Sequence, residues 1–279
     1  MPETAVTGAL EGVEPTAGVP KPDPILVVDG VRRSFGGLVA VDVDHLELQR
    51  GVITSIIGPN GAGKTTLFNL LSGFDRADEG TWRFDGSQIS GRPAYRVARE
   101  GMVRTFQLTR SLTRLTVLEN VMLGATSQQG ERFFASLVEP IWRREEQEIR
   151  TRGEAMLERF GLAHMADEFA GTLSGGQRKL LEMARALMAE PRLLMLDEPV
   201  AGVNPALTES LLEHIIAFRD DGMTVAFVEH DMDVVMGISD WVICLNQGSV
   251  IAEGRPDAIT ANQAVIDAYL GTQHGEGAT

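Results

Sequence analysis

The stretch Gly58-Pro59-Asn60-Gly61-Ala62-Gly63-Lys64-Thr65-Thr66 constrains this chain more than any other, because the apolar run Val52 to Ile57 precedes it and Leu67-Phe68-Asn69-Leu70-Leu71 follows it. The order reads as strand, glycine loop, helix. Small residues at the spacing G-x-x-x-x-G-K-[ST] let successive backbone N–H groups turn inward around a phosphate, and the following helix points its positive end at the same place. Lys64 adds a point charge for the β- and γ-phosphates, and the Thr65 hydroxyl is offered to magnesium. The alternative, a glycine-rich turn that binds nothing, is disfavoured by the strand-to-helix context. Alone, the motif implies only that a nucleoside triphosphate binds.

The chain has 279 residues, enough for one or two domains around a sizeable core. Its net charge of -14, from 25 basic against 39 acidic residues, argues against a nucleic-acid backbone as the main partner. Apolar stretches fall short of the roughly 18 residues that span a bilayer, so the chain is not expected to cross a membrane by itself. Cys244, the only cysteine, lies in the apolar run Trp241 to Leu245 and reads as a small core residue. A disulfide framework is excluded, which fits the cytoplasm. Residues 1–23 are rich in Pro, Gly, Ala and Glu without a basic start or apolar h-region, and read as a disordered tail rather than a signal peptide. Residues 272–279 read as a loose end.

From Ile25 to Ile57 the near-alternation of apolar and polar residues predicts strands with one wet face, with Phe35 among them as a candidate core aromatic. A further strand is expected over Thr81-Trp82-Arg83-Phe84. Residues 108–172 change to helical character with charged faces. Trp142, Ile149, Met156 and Phe160 make one stripe, and Arg144/Glu148, Glu146/Arg150 and Glu148/Arg152 lie at i,i+4 on a solvated face. At Leu173-Ser174-Gly175-Gly176-Gln177 a second small-residue loop opens another helix, with the look of a second anion-binding helix start.

Leu193-Leu194-Met195-Leu196 is a continuous apolar run that ends in Asp197 and Glu198, as expected of a buried parallel strand carrying carboxylates to the sheet edge where ligands bind. Asp197 suits a magnesium shell, and Glu198 can polarise an attacking water. Another buried strand, Thr224 to Val228, ends in Glu229 and His230, which gives His230 the same strand-end position. His45, His164, His214 and His274 read as structural.

In this order the motifs resemble the ATP-binding subunit of an ABC transporter over about residues 24–272. Gly58 to Thr66 matches the Walker A loop, Gln107 the Q-loop, Leu173 to Gln177 the signature, Leu193 to Glu198 Walker B, Ala201 to Asn204 the D-loop and His230 the switch histidine. The resemblance implies an α/β fold: a P-loop NTPase (RecA-like) parallel sheet core (24–107 and 173–271), an N-terminal antiparallel β subdomain, and an inserted α-helical subdomain (108–172). It also implies ATP and Mg2+ as ligands. Phe35 falls where the family stacks an aromatic on adenine, and Gln107 where it senses the metal. Ser174, Gly175, Gly176 and Gln177 fall where the signature meets the nucleotide held by a partner's Walker A, hence a head-to-tail dimer.

The local wording is most similar to the branched-chain amino-acid import ATPases of the LivG type. It is carried by Phe35-Gly36-Gly37-Leu38, Val103-Arg104-Thr105-Phe106-Gln107, Ala201-Gly202-Val203-Asn204-Pro205, Glu229-His230-Asp231-Met232, Val235 to Asp240, Ala268-Tyr269-Leu270-Gly271 and the long segment from about Gly130 to Glu154. The D-loop ends in Asn204 rather than Asp, and the adenine aromatic is Phe rather than Tyr, two departures that occur in this subfamily. The resemblance implies two transmembrane permease subunits, a second ATPase subunit that is a sister chain, an extracytoplasmic solute-binding protein acting indirectly, and a place on the cytoplasmic face of the cell membrane. ATPases of urea or amide importers and of lipopolysaccharide export share similar wording. A soluble ABC ATPase acting on the ribosome or DNA would carry two cassettes or a long coiled coil. A degenerate subunit that binds ATP without turnover is opposed by the intact Lys64, Glu198, His230 and Ser174.

Overall fold

The computed structural model describes residues 8–105, 112–125 and 139–273. The chain opens with a long hairpin, β1 (Pro24–Phe35) and β2 (Leu38–Gln49), turned at Gly36-Gly37. Next come β3 (Ile53–Ile57) and α1 (Lys64–Leu71), then β4 (Glu79–Phe84), β5 (Ser87–Gln88), α2 (Ala94–Arg99) and β6 (Met102–Arg104). A helical stretch holds α3 (Val117–Met122), α4 (Glu139–Arg159) and α5 (Gly175–Leu187). The remainder runs β7 (Leu193–Asp197), α6 (Pro205–Asp220), β8 (Thr224–Val228), α7 (Met232–Ile238), β9 (Trp241–Asn246), β10 (Ser249–Gly254), α8 (Pro256–Thr260) and α9 (Gln263–Gln273).

Among the described residues these strands form two sheets. The central one has the order β10-β9-β3-β8-β7-β6, parallel except for the antiparallel edge strand β10. Every residue of β3, β7 and β8 is buried, which is why each is dominated by apolar residues without strict alternation, with Thr54 and Ser55 of β3, Thr224 of β8 and Asp197 of β7 buried among them. Alternate residues feed opposite cores. Leu194 and Leu196 pack with α5 and α6, whereas Leu193 and Met195 pack with Phe68 of α1 and the strands of the second sheet.

That second sheet is antiparallel, β2-β1-β4-β5. It is only partly N-terminal in sequence, since β4 and β5 follow α1 and pair back onto β1 through Leu26↔Phe84 and Val28↔Trp82. Cys244 is fully buried, and burial pushes its thiol up to about 12, so it behaves as the expected core residue. No helix among the described residues is long and apolar enough to cross a membrane.

The reading of residues 1–23 as a loose tail needs correction for the described part. Leu10 is buried as part of the core that the second sheet shares with the central one, and the Lys21 ammonium makes a buried pair with Glu253 of β10 at 2.7 Å. Glu253 also accepts from the Val19 amide at 2.9 Å and the Trp241 indole at 2.8 Å. Composition misses this because one apolar and one basic residue suffice to anchor a Gly/Pro-rich segment once a buried carboxylate waits for it.

On α4, Ile149 and Met156 pack against the core and Phe160 is buried within it, as the stripe predicts, while the Trp142 side chain lies outside the described residues. Arg144 pairs with Glu148 at 3.1 Å, but Arg150 turns to Glu154 at 2.9 Å and Arg152 to Glu190 at 2.7 Å. The Phe160 ring also lies 4.5 Å from the His214 ring of α6, tilted to it by 41°. Burial, and then the Arg159 charge, hold His214 below its ordinary value of 6.5. The unfolded chain therefore takes up a proton that the fold resists, so stability is full above that value and falls as the pH drops through it. The urea midpoint is expected to fall between about pH 7.5 and about pH 5.5, and His214→Leu to flatten that slope.

Candidate nucleotide site

The glycine loop leaves β3 at Gly58, where φ is 148° and a Cβ would lie 2.1 Å from the Leu245 carbonyl oxygen of β9. Gly63, at φ 100°, is equally confined, with the Ala40 carbonyl 2.3 Å from where its Cβ would be. The loop is thus wedged between β9 and the β1–β2 hairpin, and the hairpin brings Phe35 to the same end of the molecule. Phe35 is 47% exposed, with the Arg33 guanidinium 4.5 Å over its ring. Lys64 donates to the carbonyls of Gly58 at 2.6 Å and Pro59 at 3.0 Å. Burial lowers the Lys64 pKa, with Glu198, Cys244 and Asp197 opposing the shift. Asn60, Gly61 and Thr65 are exposed, Thr66 is half-buried, and Pro59 and Ala62 are buried beneath them.

Neighbouring strand ends supply the acids. Asp197, the last residue of β7, is 4% exposed, and its Oδ2 accepts from Arg104 Nη2 at 2.7 Å. Arg104 ends β6 and also donates to Asn69 at 2.7 Å and Ser72 at 3.3 Å, so one guanidinium ties α1 to Walker B. Glu198 follows at φ 46°, a conformation that non-glycine residues seldom adopt, and the Lys179 ammonium of α5 grips its main-chain carbonyl at 2.5 Å. Glu198 Oε1 lies 3.8 Å from His230 Nδ1.

Glu229, just after β8, is 1% exposed and stands 3.7 Å from the same imidazole nitrogen. Burial pushes its carboxyl up, against hydrogen bonds from the amides of Val200 and His230.

Sequence reasoning placed Asp197, Glu198 and His230 at strand ends and Lys64 in the glycine loop that follows a strand, and the strand order β3-β8-β7 sets those ends side by side. It missed Arg104 and Lys179 as supports. Their only signal was a basic residue within one quoted motif, for Arg104, and just after another, for Lys179. Gln107 lies outside the described residues. Ser174 caps α5: its hydroxyl accepts from the Gln177 amide at 3.3 Å, and its own amide donates to Gln177 Oε1 at 2.9 Å. Gln177 Nε2 lies 3.4 Å from Met165 Sδ, so this side chain is engaged at both ends within its own subunit. Ser174 and Gly175 are exposed, while Gly176 is buried against Leu207 and Val203.

Magnesium fits the donors present. Thr65 Oγ1 and Asp197 Oδ1 are hard oxygens, and no cluster of three or more His, Cys, Asp or Glu able to hold a metal occurs among the described residues. Magnesium takes such hard oxygens, commonly one or two carboxylates together with substrate phosphates and waters.

The family model described as "ABC transporter" matches residues 41–201, and that described as "Branched-chain amino acid ATP-binding cassette transporter" matches residues 249–275. The chain is 44% identical over 252 residues to a probable branched-chain amino acid transport ATP-binding protein LivG from Archaeoglobus fulgidus, covering 90% of this chain and 97% of that one. The solved ADP conformation of an ATP-binding cassette of an ABC transporter superposes with a TM-score of 0.77 at 36% identity, covering 89% of this chain and 99% of the other. A dimeric post-hydrolysis cassette bound to ADP and Pi superposes with a TM-score of 0.68 at 25% identity, covering 83% and 98%. With a loop made for phosphates, acids at the adjoining strand ends and these likenesses along nearly its whole length, the chain belongs to the ABC transporter family as an ATP-binding cassette.

Proposed function

We propose that this chain is the ATP-hydrolysing subunit of an importer for branched-chain amino acids, lying peripherally on the cytoplasmic face of the cell membrane. The observation that carries the hydrolytic part is the convergence of three adjacent strand ends: β3 leads to Lys64, β8 to His230 and β7 to Glu198. The solute is supported by the C-terminal match at residues 249–275 and by the likeness to the archaeal LivG relative.

The site residues then have these roles. Phe35 stacks on adenine, and Gly58 through Thr66 wrap the phosphates, with the Lys64 ammonium moving from its own loop carbonyls to the β- and γ-phosphates. Thr65, Asp197 and Gln107 would hold magnesium, which would supply positive charge against those phosphates. Glu198 takes a proton from the attacking water as its oxygen bonds to the γ-phosphorus and the bond to the β–γ bridging oxygen breaks, leaving ADP and phosphate. His230, beside Glu198, contacts the γ-phosphate and that water.

Ser174, Gly175 and Gly176 face the γ-phosphate on a partner cassette in a head-to-tail dimer, while Gln177 holds that loop as its cap. Hydrolysis removes the shared charge and lets the dimer open. Residues 24–271 form the cassette, and the helical region 108–172 receives a helix from a membrane subunit, one of two permeases in the complex, which passes the nucleotide state to the membrane. A solute-binding protein outside acts indirectly.

A tagged pull-down from detergent-solubilised native membranes, with every co-purifying chain identified by mass spectrometry, tests this reading. Two different multi-spanning permeases and a second, shorter ATPase are expected. Recovery with lipid-handling subunits and one homodimeric ATPase would point to export instead, and recovery with ribosomes would end the transporter reading.

A further inference from the structure

The C-terminal helix α9 reaches the phosphate loop. Its inward positions Val265 and Tyr269 lie four apart; Val265 is buried and Tyr269 half-buried against the core formed with α5 and α6. Ile266 and Leu270, one step round the helix, face solvent. At the end of the inward face, the Tyr269 hydroxyl oxygen accepts a hydrogen bond from the Gly58 amide at 2.9 Å. We infer that Tyr269 is a positioning residue for nucleotide binding, through which α9 sets the glycine loop that receives the phosphates. The inference rests on the nucleotide reading of that loop.

Three observations carry it. Gly58 is buried, and β3 ends at Ile57, whose partner across the sheet is Cys244 of β9, so the Gly58 N–H lies beyond the ladder and needs a partner from elsewhere. The backbone passes close to β9 there, since a Cβ on Gly58 would lie 2.1 Å from the Leu245 carbonyl oxygen, so the position leaves little room for a rearranged loop. Finally, the carbonyl of the same residue accepts from Lys64 Nζ at 2.6 Å. Gly58 is therefore held by Tyr269 on one side and by the phosphate-binding lysine on the other. Burial pushes the Tyr269 hydroxyl up to about 12, which keeps it protonated and neutral beside the loop through the working pH range.

Tyr269→Phe keeps the ring and its packing and deletes only the oxygen, leaving a buried N–H without its acceptor. The test uses the purified full chain, with a fluorescent ATP analogue titrated in the presence and absence of magnesium, hydrogen exchange followed at the peptide containing Gly58, and thermal unfolding. The expected result is about tenfold weaker nucleotide binding with or without magnesium, faster exchange at Gly58, and little change at the outward control Leu270→Ala. Unchanged binding and exchange in Tyr269→Phe would overturn the inference. So would a lower unfolding temperature with unchanged nucleotide affinity, which is the mark of a purely structural tether. Wild-type chain that binds no nucleotide would instead refute the site itself.

Discussion

Glu198→Gln is expected to lower the ATPase rate of the assembled transporter by about 10²- to 10⁴-fold, the range that a positioned general base contributes, while ATP binding is kept. The reasoning is geometric. Glu198 is held at φ 46° with its carbonyl gripped by Lys179, so the backbone pose does not depend on the side-chain charge. An amide of the same shape fills the same space beside His230 but cannot accept the proton of the attacking water. Phosphate release at saturating ATP and equilibrium ATP binding, measured on the same preparation, check it. A variant that retains turnover would move the base elsewhere, and Glu229, buried with its carboxyl pushed up and 3.7 Å from His230, would be the first residue to examine.

The second large effect is on stability. Arg104→Met is expected to cost about 3–5 kcal/mol, the range for breaking a buried pair by removing one partner, because Asp197 is left as a buried carboxylate. Arg104 and Asp197 side chains are 3% and 4% exposed, so solvent does little to screen the loss. The same guanidinium holds Asn69 and Ser72 of the α1 region, so its removal also loosens the Walker A helix from Walker B. Thermal unfolding should show a drop of roughly 10 °C. Arg104→Met combined with Asp197→Asn should recover much of it, since neither charge then remains buried alone. A single variant with wild-type stability would show that Asp197 finds another partner.

The support shell explains why the site was only partly legible. Asp197, Glu198 and His230 could be read because each stands at the end of a run whose pattern marks a buried strand, and Lys64 because the glycine loop after such a strand has its own spacing; a parallel sheet presents those ends together. Arg104 and Lys179 could not be assigned, because their partners are 93 and 19 residues away in the chain. Tyr269 is 211 residues from Gly58, and no local rule predicts that a C-terminal helix supplies an acceptor for the loop after the third strand. The Lys21 anchor was hidden for the same reason: a basic residue in a Pro/Gly-rich segment is read as solvated until its buried acid is seen.

The sequence by itself determined the order of elements, the glycine loop and its phosphate chemistry, the strands that carry the acids, and the family, because these follow from local spacing and from side-chain periodicity. Only the tertiary structure decided how the acids are held. Burial of Asp197, Glu229 and Glu253 makes each of them need a particular distant donor: Arg104 for Asp197, the Val200 amide for Glu229, and Lys21 with Trp241 for Glu253. Those pairings depend on which strands and helices lie side by side, a property of packing that no single stretch of chain contains.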